Sequence, residues 1–458
     1  MPENSHNDGA NVNPSYFERD ANRREVLKRM VQIGLTLPVA APLLAACGTA
    51  SNTGAESQVP AVEITDPNDP RFERRTVLDS FYTLDNDYFQ GWDRASREMC
   101  AVYNLERDRQ VDNSSVDALR GIFEAAVTRQ IAGVVNAPAV AASTPEVIGI
   151  TQQAGIPTST AWSNAPWSTP LDIGDYFVSY QAANDEALAR AVCEILFKEM
   201  GGKGKFIHIE GLRGNSSSDR RNVGVDEALA AYPNVQMVAR EEGGFSRSVT
   251  QPVIESLLTA HPDVAGIMCS NDDSAIAVVN ALESRNMQVP VVGIDVINEF
   301  LDAMQRGGTA LASAAPHGSW LGAYCMVKVF DAMNGFQLTV PERMMYFGGF
   351  VVDTPEAAAA YQDLMYKAER FPFDYEKWSR VLHPDDWDPQ NSLRPIDPNA
   401  YWANYPKPAG YQLPPDYATA TDSGEFQRIE EMYKTAFKID PWKDIRKLCK
   451  NNGGADVL

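Results

Sequence analysis

From about residue 75 the chain alternates short, unbroken apolar runs with segments of helix length. No other feature limits its folds so sharply. The runs read "TVLDSFY" (76–82), "IAGVVNAP" (131–138), "GIPTSTAW" (155–162), "YFVSY" (176–180), "GKFIHIEG" (204–211), "VQMVAR" (235–240), "VAGIMCSN" (264–271) and "VPVVGID" (289–295). Hydrophobicity that does not alternate marks strands covered on both faces, and strand–helix alternation marks parallel sheets flanked by helices. Some nine or ten such strands overfill one open twisted sheet. The expected class is α/β, with two doubly wound parallel-sheet lobes and a C-terminal extension.

The ends of the chain follow other rules. "NRREVLKRM" (22–30) sets paired arginines before the apolar run "VQIGLTLPVAAPLLAA" (31–46), and small residues precede Cys47. This resembles a twin-arginine export signal followed by a lipoprotein box. The expectation is a signal peptide over 1–46, lipidation of Cys47, and a polar tether over 47–74. The protein would then be exported and held at the cell membrane, in the periplasm or on the outer surface. Residues 355–458 are rich in Pro, Asp and aromatics and carry four of the eight tryptophans, Trp378, Trp387, Trp402 and Trp442. Disordered segments are poor in aromatics. This extension is therefore expected to wrap along a lobe, the second one, as a passive cover or as a partner-facing surface. It shows no strand alternation, and an amphipathic helix closes it at 423–439.

Composition removes several function classes. The formal net charge of −21 repels nucleic-acid phosphates. After Cys47 come Cys100, Cys193, Cys269, Cys325 and Cys449, widely spaced and odd in number, so a full disulfide framework is excluded. The five histidines show no metal-ligand spacing. No cofactor or metal is expected.

In doubly wound sheets, ligands bind beyond the carboxyl ends of the strands. Those ends carry Asn86, Tyr88 and Phe89; Asn136; Trp162 and Ser163; Arg221; Phe245; Asn271; and Asp295. Amides, a guanidinium and a carboxylate hydrogen-bond in fixed planes, and rings offer flat apolar faces. A polyhydroxylated ring needs both. Each residue also has a plainer role open to it, since Asn and Asp at strand ends often cap helices.

The pieces "YTLDNDYFQGW", "GLRGNSSSDRRNVGVDEAL" (211–229), "LTAHPDVAGIMCSNDDSAIAVVNALES" (258–284) and "VPVVGIDV" (289–296) resemble the type I periplasmic sugar-binding proteins of the ribose- and galactose-binding kind. The resemblance runs from about 75 to 350. It implies two lobes joined by a hinge, an N-terminal lobe of 75–183 and 316–340, and a C-terminal lobe of 184–315 and 341–354. It also implies a monomer that closes on a sugar or polyol, performs no chemistry, and docks on an ABC permease. Asn86, Tyr88, Phe89 and Asn136 would line the first lobe's wall, and Arg221, Phe245, Asn271 and Asp295 the second's. Trp162-Ser163 stands where the ribose binder has an acid–base pair. The hinge amide falls on Pro316, with His317 beside it as a ligand-facing candidate. Two other classes stay open: a membrane-tethered sugar sensor, and a carbohydrate-active hydrolase using Asp272, Asp273 and Asp295.

Overall fold

The computed structural model describes residues 61–403, 405–451 and 456–457. The expected export signal and Cys47 lie outside the described residues. Strands β1 (Thr76–Phe81), β2 (Glu106–Val111), β3 (Gly133–Ala137), β4 (Thr158–Ala161) and β5 (Phe177–Ala183) build a first sheet. Strands β6 (Lys203–Glu210), β7 (Asn234–Glu242), β8 (Val264–Cys269), β9 (Val291–Ile294) and β10 (Ala310–Ala315) build a second. Then β11 (Met344–Phe347) joins the first sheet, β12 (Phe350–Val352) the second, and β13 (Leu393–Pro395) the first again. The orders are β13-β11-β5-β4-β3-β1-β2 and β12-β10-β9-β8-β6-β7. Pairing is parallel except for the terminal pairs β11–β13 and β10–β12. The fold is thus two mostly parallel sheets, each doubly wound with helices.

The helices that matter here are α1 (Asp87–Val102), α2 (Val116–Thr128), α3 (Thr144–Ala154), α4 (Asp185–Glu199), α5 (Ser216–Ala231), α6 (Arg247–Ala260), α7 (Asp272–Ser284), α8 (Asn298–Arg306), α9 (Gly318–Met333), α10 (Pro355–Gln362), α11 (Pro415–Asp422) and α12 (Glu425–Ala436). Helix α9, "GSWLGAYCMVKVFDAM", is apolar around almost its whole girth and buried along nearly its full length. A helix of that kind must be covered on every side. One side meets α1 and the first sheet. The extension covers part of the rest: Trp378 packs 5.9 Å from both Trp320 and Tyr324, and the Trp320 indole donates to the Pro389 carbonyl at 2.8 Å.

Two expectations need correcting. Residues 344–347 of the segment assigned to the second lobe pair with β5, so only β12 reaches the second sheet. The extension, expected along the second lobe without strands, contributes β13 to the first sheet and lays Trp402 against Tyr180 of β5 at 6.1 Å. It also reaches the second lobe: Gln362 of α10 donates to the Asn298 carbonyl at 3.0 Å and to Asp302 at 2.7 Å, and Arg220 donates to the Tyr401 carbonyl at 2.5 Å. All four of its tryptophans are buried, so they form core and not a partner-facing surface. The five described cysteines are buried and unpaired. Among the described residues, no helix is long and apolar enough to cross a membrane.

Burial also leaves a mark on stability. Desolvation, opposed by hydrogen bonds, lifts the carboxyls of Asp112 and Asp272 to about 7. In the unfolded chain both titrate near 3.8. Between those values the folded state holds the extra protons, so stability falls as pH rises from about 4 to 7, by up to about 1.4 kcal/mol per pH unit for each group. Scanning calorimetry should give a higher Tm at pH 5 than at pH 7.5, with a shallower slope for Asp272→Asn. A Tm that climbs through this window would contradict the assignment.

Candidate functional site

The carboxyl ends of β1 and β4 on one side, and of β6 to β9 on the other, face a narrow crevice. On the first wall, Asn86 caps α1, its side-chain oxygen accepting the Phe89 N–H at 3.0 Å. Capping consumes the oxygen and leaves the amide NH₂ available beside the positive end of the helix. Tyr88 rests on Gly318, where a Cβ would come within 2.6 Å of the ring. Four residues on, Trp92 lies on Gly322 in the same way, at 2.4 Å. Glycines at successive turns of α9 let α1 press its rings against backbone, so Tyr88 is held rigidly at the crevice edge.

Phe89 turns inward, 5.9 Å from both Phe81 and Trp92, and is only 2 % exposed. It anchors the corner while lending the crevice part of its surface. Trp162 closes this wall with φ of +68°, a conformation a bulky residue adopts only when its surroundings enforce it. The enforcement is visible: the Tyr180 hydroxyl donates to the Trp162 carbonyl at 2.7 Å, and the indole stands edge-on to Tyr88 at 5.7 Å.

The second wall is built around Arg221 on α5. Its Nε donates to Asp185 at 2.7 Å and its Nη1 to the Ser270 carbonyl at 2.5 Å. The remaining nitrogen, Nη2, faces Asp295 at 3.9 Å. The Trp162 and Phe245 rings flank the guanidinium at 5.8 and 5.6 Å. Phe245, at φ of +56°, lies over Gly211, where a Cβ would meet its ring at 2.2 Å. Asn271 caps α7 through its oxygen, accepting the Ser274 N–H at 3.0 Å, and donates to the Phe245 carbonyl at 3.3 Å.

Asp295 has φ of +119°. Burial pushes its carboxyl well above the ordinary range, and the Arg221 charge pulls against that. Among the described residues, no group hydrogen-bonds its carboxylate, so its oxygens are available to hydroxyl donors. Among the described residues it is the only carboxylate on the crevice wall. Asp272 is occupied by Ser313 at 2.7 Å and the Ile297 N–H at 3.0 Å, and Asp273 is paired with Arg247 at 2.6 Å. Glycoside hydrolysis needs two facing carboxyls, and the crevice offers one.

The walls touch. Asn215 donates to the Ala139 carbonyl at 2.8 Å, the Ala141 N–H to Gly214 at 2.9 Å, and the Asn298 N–H to Asp87 at 3.0 Å. This is a closed arrangement of the two lobes.

Of the candidates read from the sequence, Asn86, Tyr88, Phe89, Trp162, Arg221, Phe245, Asn271 and Asp295 share the crevice. Three do not line it. Asn136 is fully buried in β3, in register with Ser80 and Thr160, on strand positions that alternate with those facing α1. Ser163 lies behind Trp162, with its carbonyl accepting the Thr144 hydroxyl at 3.0 Å. His317 is sealed under the extension, its ring stacked on Trp442 at 3.7 Å. Sequence reading missed Tyr82, Asn215 and Ser217, which line the crevice, and Asp185, which holds Arg221 from behind. The signal for Asn215 was present: it follows a strand and caps α5, the same pattern that marked Asn86 and Asn271.

The sequence profile of the periplasmic binding protein domain matches residues 80–335. The chain is 25 % identical over 273 residues to a xylitol-binding protein of Mycolicibacterium smegmatis, covering 58 % of this chain and 71 % of that one. It is 27 % identical over 158 residues to a ribose import binding protein of Haemophilus influenzae, covering 34 % and 53 %; the match thus spans about half of that relative. An ABC transporter periplasmic solute binding protein from Actinobacillus succinogenes, solved with bound D-allose, superposes with a TM-score of 0.58 at 20 % identity, covering 63 % of this chain and 100 % of that one. Two lobes closed over a crevice are the architecture of a binding protein. The chain belongs to the periplasmic binding protein domain family.

Proposed function

We propose that this is the solute-binding lipoprotein of an ABC importer, capturing a sugar or sugar-like polyol between its lobes. The observation that carries the reading is the pairing of Arg221 and Asp295 with the Tyr88, Trp162 and Phe245 rings in one crevice. A hydroxyl-rich ring would present its edge to the charged pair and to the amides of Asn86 and Asn271, and its C–H faces to the aromatics. Charged hydrogen bonds contribute roughly 1.5–3 kcal/mol each, so a handful reaches the ~8 kcal/mol of micromolar affinity. The xylitol and ribose import binding proteins among its relatives support this solute class. Ligand would shift the hinged lobes toward the closed form, and that form would dock on the permease. Thioether-linked lipid on Cys47 would keep the protein beside its partner, and the polar tether to about residue 74 would give it reach. Asn136, Ser163 and His317 take no direct part in this reading; they support the walls.

Isothermal titration calorimetry with pentoses, hexoses, pentitols and inositols tests it. Micromolar or tighter binding of at least one member is expected. Silence across the whole panel would defeat the proposal.

A further inference from the structure

Beyond the crevice lies a second chamber of ≈ 200 Å³. Tyr88 and Asp295 line both spaces, so the two compartments meet at these side chains. Both are unsatisfied there. The Tyr88 hydroxyl is buried beside the Trp162 indole with no hydrogen bond of normal geometry, and the Asp295 carboxylate has Arg221 as its opposite charge, at 3.9 Å. Two buried polar groups left open at one partition cost free energy unless something passing between them hydrogen-bonds to both.

The far wall of the chamber is made by the extension, through Tyr361, Tyr366 and Phe371. These rings are fixed in place. The Tyr366 hydroxyl donates to the Val296 carbonyl at 3.0 Å, next to Asp295. Arg94 is tied to Glu98 at 3.0 Å and to the Ala368 carbonyl at 2.8 Å, and its guanidinium covers the Phe371 ring at 4.2 Å. The near wall, from α1 and α9, supplies Asp87, Gln90 and Ser319. Room is left by Gly91, where a Cβ would meet nothing closer than the Ser319 Cβ at 3.8 Å. Flat rings interleaved with carboxylate, amide and hydroxyl repeat the chemistry of the front crevice.

We propose that this chamber is a second sugar subsite, and that the solute is a two-ring glycoside such as a disaccharide. One ring occupies the crevice, the link passes between Tyr88 and Asp295, and the second ring lies against Tyr361 and Phe371. The proposal rests on the sugar-binding reading above and narrows its solute. It also gives the extension a function: without it the chamber has no outer wall.

The test is calorimetry on the purified protein with matched pairs: xylose and xylobiose, glucose and cellobiose, galactose and lactose, and each monosaccharide with its 4-nitrophenyl glycoside. For the pair whose monosaccharide binds, the two-ring partner should bind at least about tenfold tighter, the return on one further net hydrogen bond and one stacked ring. Gly91→Phe and, independently, Ser319→Leu fill the chamber. Each should erase that gain while leaving the monosaccharide Kd within about twofold, and the retained monosaccharide binding reports that the variant is folded. Monosaccharides that bind while every two-ring partner is excluded would overturn the second subsite and leave the sugar-binding reading standing. So would a gain that survives both substitutions. Failure of every sugar, of one ring or two, would overturn both readings together.

Discussion

Arg221→Ala is expected to lower the affinity for the best-binding sugar by more than about a hundredfold and to destabilise the fold by about 3–5 kcal/mol. The guanidinium is shared among three tasks: it bonds Asp185, it bonds the Ser270 carbonyl, and it turns its last nitrogen toward Asp295. Removing it leaves Asp185, fully buried, without its counter-charge, and leaves the crevice without its cation. Neither carboxylate can then stay ionised cheaply, so both drift further toward the neutral acid and hydroxyl recognition is lost with them. Arg221→Lys should recover part of the stability and little of the affinity, because an ammonium cannot bond Asp185 and Ser270 while also facing the ligand. Calorimetry and urea unfolding on the same preparations separate the two effects. An Arg221→Ala protein that binds sugar as the parent does would remove Arg221 from the site.

Trp442→Ala should be the most damaging change in the extension, costing about 3–5 kcal/mol. The indole is fully buried, stacks on His317 at 3.7 Å and packs edge-on to Phe373 at 5.9 Å. His317 has φ of +44° and neither ring nitrogen finds a hydrogen-bond partner. Its burial pushes the imidazole well below its usual range, so it stays neutral. The structure tolerates this unsatisfied residue between the strands that cross from one lobe to the other because Trp442 covers it. Opening that cover admits water to His317 and to Tyr361, and the extension loosens where it crosses the hinge. Thermal unfolding should shift down by several degrees and precede any change in the secondary structure of the second sheet. A variant with unchanged Tm would show that Trp442 plays no part in holding the extension.

The two-lobed class was readable because its cause is local: a strand buried on both faces must be apolar throughout, wherever it sits in the chain. The crevice residues at Asn86, Asn271 and Arg221 were readable for a related reason, since a cap or a side chain in the first two turns of a helix is placed by the strand end just before it. What was not readable depends on contacts between distant segments. Asp185 acquires its role from Arg221, 36 residues away. His317 looked like a ligand-facing hinge residue until Trp442, far along the chain, proved to lie on it. Strand β2, "ERDRQV", is almost wholly polar because it closes a sheet edge, where Arg107 pairs with buried Asp79 at 2.8 Å. Strand β13 ends in proline and exists only because β11 offers it an edge. The need for an extension was in fact written in α9, whose apolar circumference demanded cover, but which segment would supply it was not.

One consequence of the wall around Trp162 is practical. Of the eight tryptophans, it alone lines the crevice, and its indole N–H is buried without a partner. A solute whose oxygen accepts that N–H changes the polarity around the ring, while the other indoles keep the surroundings they had. The protein therefore carries its own optical reporter: emission on excitation at the indole band should track occupancy without any attached dye, and Trp162→Phe should silence it.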